Sequence, residues 1–268
     1  MAANARRIGW LVAFSVLCLV AALVAPSFPQ PTTYHGFGDR HAAFGIPNFA
    51  DTTSNAGFLI AGLWGLAIVL GGRARLEDAQ ERWPWIAFFV GVVLTAFGSA
   101  YYHLAPDNER LFWDRLPINI ALMALVSAQI VDRISIRAGV ALLVPLLLVG
   151  AASVVYWRAT ERAGQGNIVP YVVLQGYAIV ILVWLALALR SRYTRGRDIF
   201  WIFAWYALAK VLEAFDAPIF RLSGGTISGH TLKHLAATMA ALVVCAMLAR
   251  RTLVAPARPR VTTVRARP

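Results

Sequence analysis

Eight stretches of this chain are long and apolar enough to cross a lipid bilayer as helices, and nothing else in the sequence constrains the fold as strongly. They lie near residues 8–26, 54–71, 85–104, 116–132, 137–156, 169–189, 199–215 and 230–249. A helical span takes about 20 mainly apolar residues, because backbone polar groups in hydrocarbon must be satisfied within the segment itself. Of the 268 residues, 59% are hydrophobic and 14% charged; soluble domains carry about a quarter charged residues. The expected fold is an all-α polytopic membrane protein. The first stretch follows Arg6 and Arg7 and has the outline of a secretory signal. Its apolar run is long and its small-x-small cleavage motif poor, which favours an uncleaved anchor.

The net charge of +12 raises the question of nucleic acid, and the placement of the charge answers it. Arg73, Arg75 and Arg82 fall between the second and third stretches, and Arg133 and Arg137 between the fourth and fifth. Arg190, Arg192, Arg195 and Arg197 fall between the sixth and seventh, and six more arginines follow the eighth. Basic loops thus alternate with loops poor in net positive charge, the positive-inside pattern. Both termini are then cytoplasmic, as eight spans require, and the arginines serve as topology signals and contacts to anionic lipid. No nucleic-acid partner is expected; the arginine-heavy complement points to a bacterial inner membrane.

Cys18 and Cys245 both fall inside apolar stretches, where small apolar fillers are the expected role and a disulfide framework is not. The longest connection, 27–51, is rich in proline and glycine and holds His35, Asp39 and His41. The stretch from Ala255 onward, with its prolines and arginines, reads as a disordered basic tail. The expected division is 1–53 for the N-terminal anchor and outer loop, 54–250 for the helical core and 251–268 for the tail.

Chemistry enters with Ser99-x3-His103, Asp114 and His230-x3-His234. Ionisable side chains at membrane depth are costly and mark functional sites. The charge topology puts all five histidines on the outer face. His230 and His234 lie one turn apart on one helical side, and His103 from another helix completes a three-histidine set of the kind that holds catalytic zinc with one position left open. The alternative is a group of interfacial histidines bonded to loops and headgroups. Ser99 shares a helical face with His103 and is suited to stabilising an oxyanion, or else bonds back to its own helix. Asp114 is suited to proton transfer, or else pairs with Arg110 or Arg115 at the headgroup level. Lys210 and Glu213, three residues apart, are expected to neutralise one another, and Asp216 to support a ligand histidine.

The ordered set Thr53-Ser54-Asn55, Gly98-Ser99-x3-His103, Trp113-Asp114-x2-Pro117-Ile118, Phe215-Asp216 and His230-x3-His234 resembles the alkaline ceramidase family, over roughly residues 48–248. That family belongs to a superfamily of membrane hydrolases that includes the adiponectin-type receptors. The resemblance implies a seven-helix core, to which the first span is an N-terminal addition. It implies zinc on His103, His230 and His234, with Ser99 and Asp114 as oxyanion and proton-handling groups. The implied reaction is hydrolysis of a ceramide-like N-acyl lipid to a sphingoid base and a fatty acid by a zinc-activated water, the lipid coming from the bilayer. The family also carries a calcium site before its first core helix; here Asp39, Asn48 and Asp51 stand in that region without its glutamate and tryptophan, which weighs against calcium (Ca2+). Asp39 and Asp51 are equally suited to loop and helix-cap roles. Two other functions compete: a receptor-like or regulatory protein with structural zinc, and a haem protein using His103 with His230 or His234. Haem leaves Ser99 and Asp114 without a role.

Overall fold

The structure, a computed structural model, describes residues 2–254; the expected basic tail from Ala255 lies outside the described residues. All regular elements among these residues are helical. In chain order they are α1 (Ala2–Val24), α2 (Phe49–Thr53), α3 (Ala56–Leu70), α4 (Arg82–Leu104), α5 (Asn108–Arg133), α6 (Ile136–Arg162), α7 (Val169–Ala188), α8 (Ile199–Ala214), α9 (Asp216–Leu222) and α10 (Gly229–Arg250). A 3-10 turn at Thr32–His35 punctuates the proline-rich connection after α1, and another at Ala79–Glu81 leads into α4.

Among the described residues, six segments are long and apolar enough to cross a membrane: Phe49–Leu70, Ala79–Leu104, Asn108–Arg133, Ile136–Arg162, Val169–Ala188 and Gly229–Arg250. The other two expected spans form as helices but fall short. The apolar part of α1 is Ile8–Val24. In α8 there are 16 residues, about 24 Å at 1.5 Å each, against a hydrocarbon core of about 30 Å. The backbone of Phe215 leaves the helical region there and restarts as α9.

Capping residues set several helix starts. Asp107 accepts the Arg110 amide at 2.6 Å before α5, and Ser228 accepts the Thr231 amide at 2.9 Å before α10; each satisfies an amide that the helix leaves without a partner. Pro117 and Pro145 sit inside α5 and α6, which neighbouring helices make tolerable in such bundles.

Helix α5 is the axis of the bundle, packed against α4, α6 and α7. Helix α3 packs on α4 and α10, and α8 packs on α10. Helix α1 lies against α7, where Ser15 meets the Tyr177 hydroxyl at 2.8 Å. Outward-facing side chains are apolar over much of the surface, among them Trp10, Leu23, Ile60, Trp64, Leu148 and Trp201, as expected of a bundle solvated by hydrocarbon. The crossing of α4 and α5 is especially close: a Cβ on Gly98 would collide with the Trp113 carbonyl. That contact brings Ser99 beside Asp114.

At the end of the bundle away from the histidines, Arg251 is 1% exposed. Its guanidinium reaches Asp132 at 2.9 Å, the Arg75 carbonyl at 3.2 Å and the face of Tyr193 at 3.9 Å. Tyr193 in turn donates to Glu81 at 2.7 Å; burial and that carboxylate push its phenol above the usual range. The expected core-to-tail boundary at residue 251 thus falls on a docked residue.

Candidate metal centre

Helix α4 supplies His103 in its last turn, and the first two turns of α10 supply His230 and His234. All three are buried, at 1%, 4% and 2% exposure. One ligand-capable atom from each lies within 4.8 Å of the others, and the ring centroids are 4.7–5.0 Å apart. The Nε2 atoms of His103 and His230 stand 3.2 Å apart. Two nitrogens on a tetrahedral zinc at about 2.0–2.1 Å are separated by about 3.4 Å, so this pair already has the spacing of a shared ion. His234 Nε2 is buried without a hydrogen bond, and its Nδ1 lies 2.8 Å from Ser54 Oγ. A buried polar atom without a partner is uncommon; neutral imidazole nitrogens converging on one point are suited to zinc.

The helices hold this arrangement at several points. Asp216 accepts the His230 amide at 2.8 Å through one oxygen and the Gly38 amide at 2.7 Å through the other, so it ties the first turn of α10 to the long loop. It thus supports one of the three histidines, through that residue's backbone amide. Asp51 is 1% exposed and accepts from Thr231 at 2.6 Å and Ser228 at 3.2 Å; it braces the start of α10 instead of capping its own helix. Asn48 donates to the His103 carbonyl at 2.7 Å. Asp39 is turned to His41, accepting its amide at 2.8 Å. Phe37 closes the site from the loop, its ring 4.7 Å from that of His103 and 4.5 Å from that of His230. The two other histidines lie at the same end: His35 bonds Tyr102 at 2.8 Å and Asn108 at 3.0 Å, and His41 rests on Phe220.

A cavity of about 220 Å³ runs into the bundle from this centre. Ser99, Asp114, Lys233 and His234 border its polar end, while side chains such as Phe88, Val92, Leu125, Leu182 and Ile202 form the rest. Helices α3, α4, α5, α7, α8 and α10 all contribute to its walls, and of these α7 and α8 pack on different neighbours. Ser99 and Asp114 are buried and adjacent. Among the described residues Asp114 has no ion pair: Arg110 donates to the Ala105 carbonyl at 2.9 Å and Arg115 to Gln30 at 2.6 Å. The arginine-paired alternative for Asp114 is therefore unmet, and the Ser99 hydroxyl bonds the Asp114 carboxylate.

Two side chains that touch the histidines are given no individual role by the sequence. Lys233 lies 3.0 Å from His230 Nε2 and 2.9 Å from Glu213. It donates toward the lone pair an ion would take, so metal loading must displace it toward the cavity it borders. The only signal was its place between the two histidines. Ser54 fixes the orientation of His234 and was visible only as part of a motif. The expected Lys210–Glu213 pair is present at 2.8 Å, with Glu213 shared between both lysines. Cys18 and Cys245 are both free.

No protein-family model matches this chain, and no curated protein sequence matches it.

Proposed function

We propose that the protein is a membrane-embedded, zinc-dependent amide hydrolase that cleaves a ceramide-like N-acyl lipid to a sphingoid base and a fatty acid. The observation that carries this reading is the meeting of three buried histidines with a largely apolar cavity whose polar end also holds Ser99 and Asp114. His103, His230 and His234 would hold the ion through Nε2. Three protein ligands leave a position open, as in catalytic zinc sites; the receptor-like alternative shares that ligand set, and the apolar cavity with Ser99 and Asp114 at its polar end is what favours the hydrolase. The likeness of the Ser, His, Asp, His, His order to alkaline ceramidases supports the same reading.

Bound zinc lowers the pKa of a coordinated water to about 7 and polarises a carbonyl. The chain's own groups account for the rest. The apolar walls take the acyl chain and keep bulk water from the amide. Asp114 accepts a proton from the attacking water and returns it to the nitrogen as the amide C–N bond breaks. The Ser99 hydroxyl donates to the carbonyl oxygen as negative charge builds there. Lys233, which also pairs with Glu213, adds a positive charge at the same end once it has swung off His230 Nε2. In this proposal α1 and α8 also cross the membrane, as short spans to which the bilayer adapts by local thinning, giving an extra N-terminal span before a seven-helix core. Both termini are cytoplasmic and the metal centre faces outward.

The test is incubation of purified, zinc-loaded protein with a panel of N-acyl sphingoid lipids, scoring fatty acid and free base. Equimolar release of both is expected. No release from any lipid while zinc stays bound would refute the hydrolase, and an intense visible absorption band would replace zinc with haem.

A further inference from the structure

A second cavity, of about 470 Å³, adjoins the first and is bounded on its polar side by Gln30, Tyr34, Arg115, Tyr171, Gln175 and Lys210. All of these except Gln30 also border the first cavity, so the two spaces meet there. The remaining wall is apolar, and no acidic residue borders this second space among the described residues.

Arg115 is 4% exposed and stacked among three aromatic rings, 4.4 Å from Trp157, 4.8 Å from Tyr171 and 5.4 Å from Tyr34. One guanidinium nitrogen donates to Gln30 Oε1 at 2.6 Å, and Nη1 makes no hydrogen bond. No carboxylate lies within ion-pair distance of it among the described residues. Lys210 does have Glu213, but Glu213 also serves Lys233. Three cations, Arg115, Lys210 and Lys233, therefore border the joined cavities against two carboxylates, Asp114 and Glu213. A guanidinium stays charged at any physiological pH, and a charge inside such a bundle is retained at a cost in stability. Its planar fork matches the oxygens of a carboxylate or phosphate.

We propose that the junction of the two cavities binds the anionic group, carboxylate or phosphate, of an amphiphile whose acyl chain fills the first cavity. The inference rests on the hydrolase reading and deepens it: the substrate is an N-acyl lipid with an acidic group close to its amide, in preference to a neutral ceramide. Arg115 and Lys210 are the specificity-determining residues, with the Tyr34 and Tyr171 rings holding the guanidinium in place.

The experiment compares affinities of the purified, zinc-loaded protein by calorimetry for matched pairs. These are N-hexadecanoylglycine against its methyl ester, and N-hexadecanoylsphinganine 1-phosphate against N-hexadecanoylsphinganine, with sodium phosphate alone as a further arm. The acidic member of at least one pair is expected to bind about tenfold more tightly or better, the scale of one charge-assisted hydrogen bond, with no binding of free phosphate. In Arg115→Gln that ratio collapses toward one, while zinc content reports that the fold survives. Lys210→Gln, at a half-exposed side chain, lowers the ratio by a smaller factor and serves if the arginine variant does not fold. A ratio near one in the unaltered protein, or a ratio unchanged in both variants, overturns the proposal. Free phosphate binding as tightly as the lipid phosphate overturns the amphiphile. Acid-selective binding without turnover would remove the hydrolase and leave this site standing; turnover without acid selectivity would do the reverse.

Discussion

Ser54 gives the sharpest test of the metal centre, because it touches a ligand without being one. For His234 to present Nε2 to an ion, its Nδ1 must carry the proton and donate it to Ser54 Oγ, 2.8 Å away. The Ser54 hydroxyl then donates onward to the Asp51 carbonyl at 3.1 Å. Ser54→Ala removes one acceptor of the imidazole, leaving the Asp51 backbone carbonyl as the other, and so loosens its orientation and tautomer. Losing such a supporting partner typically lowers metal affinity by about 10–100-fold, or about 1.4–2.7 kcal/mol. The lower half of that range is expected here, because Phe58 packs against the same ring and limits its rotation. A zinc competition titration against a chromophoric chelator measures this directly. The control is Thr53→Ala, whose exposed hydroxyl bonds only the Phe49 carbonyl and should leave affinity unchanged. If Ser54→Ala and Thr53→Ala bind zinc equally well, His234 is not oriented for ligation in the way described.

Other expectations follow from the same geometry. His103→Ala and His234→Ala should each lose stoichiometric zinc, whereas Asp114→Ala should keep it and lose turnover by about 10²-fold or more, as removal of a proton-transfer group does; metal analysis beside the hydrolysis assay separates the two classes. Stripping the metal should lower thermal stability, since saturation at 1,000 times Kd contributes about 4 kcal/mol, and zinc should restore the original transition on a thermal melt. Gly98→Ala should cost about 2 kcal/mol or more, because the Cβ meets the backbone of Trp113 and not a side chain that can turn away. The same change should depress turnover in whatever protein remains folded, by separating Ser99 from Asp114.

Much of the fold was legible because apolar runs and their flanking charges are local properties. The run read as 137–156 is α6, Ile136–Arg162, and the run read as 230–249 is α10, Gly229–Arg250. The histidine set was legible for a similar reason: an i,i+4 pair has a fixed geometry on any helix, and only His103 needed tertiary structure to join it. Pairs created by packing were out of reach. Lys233 meets Glu213 because α8 lies against α10, and no periodicity within either helix announces that. Asp216 stood in the right neighbourhood, but the break at Phe215 turns its carboxylate toward backbone amides. In the sequence Arg115 offers only a pairing with Asp114. Its aromatic surround is assembled from the loop after α1 and from the facing ends of α6 and α7, segments that only tertiary packing brings to Arg115.

The docking of Arg251 has a consequence for the histidines at the other end of the same helix. Helix α10 is fixed near its start by Asp51 and Asp216 and just past its end by Asp132. Its 22 residues place those anchors about 33 Å apart. Sliding the helix by a single residue would advance it about 1.5 Å and turn it by about 100°, sweeping both imidazoles out of the centre. Two anchors that far apart leave room for only one axial register, so a residue that looked like the first of a loose tail helps set the geometry of a site on the opposite side of the bundle.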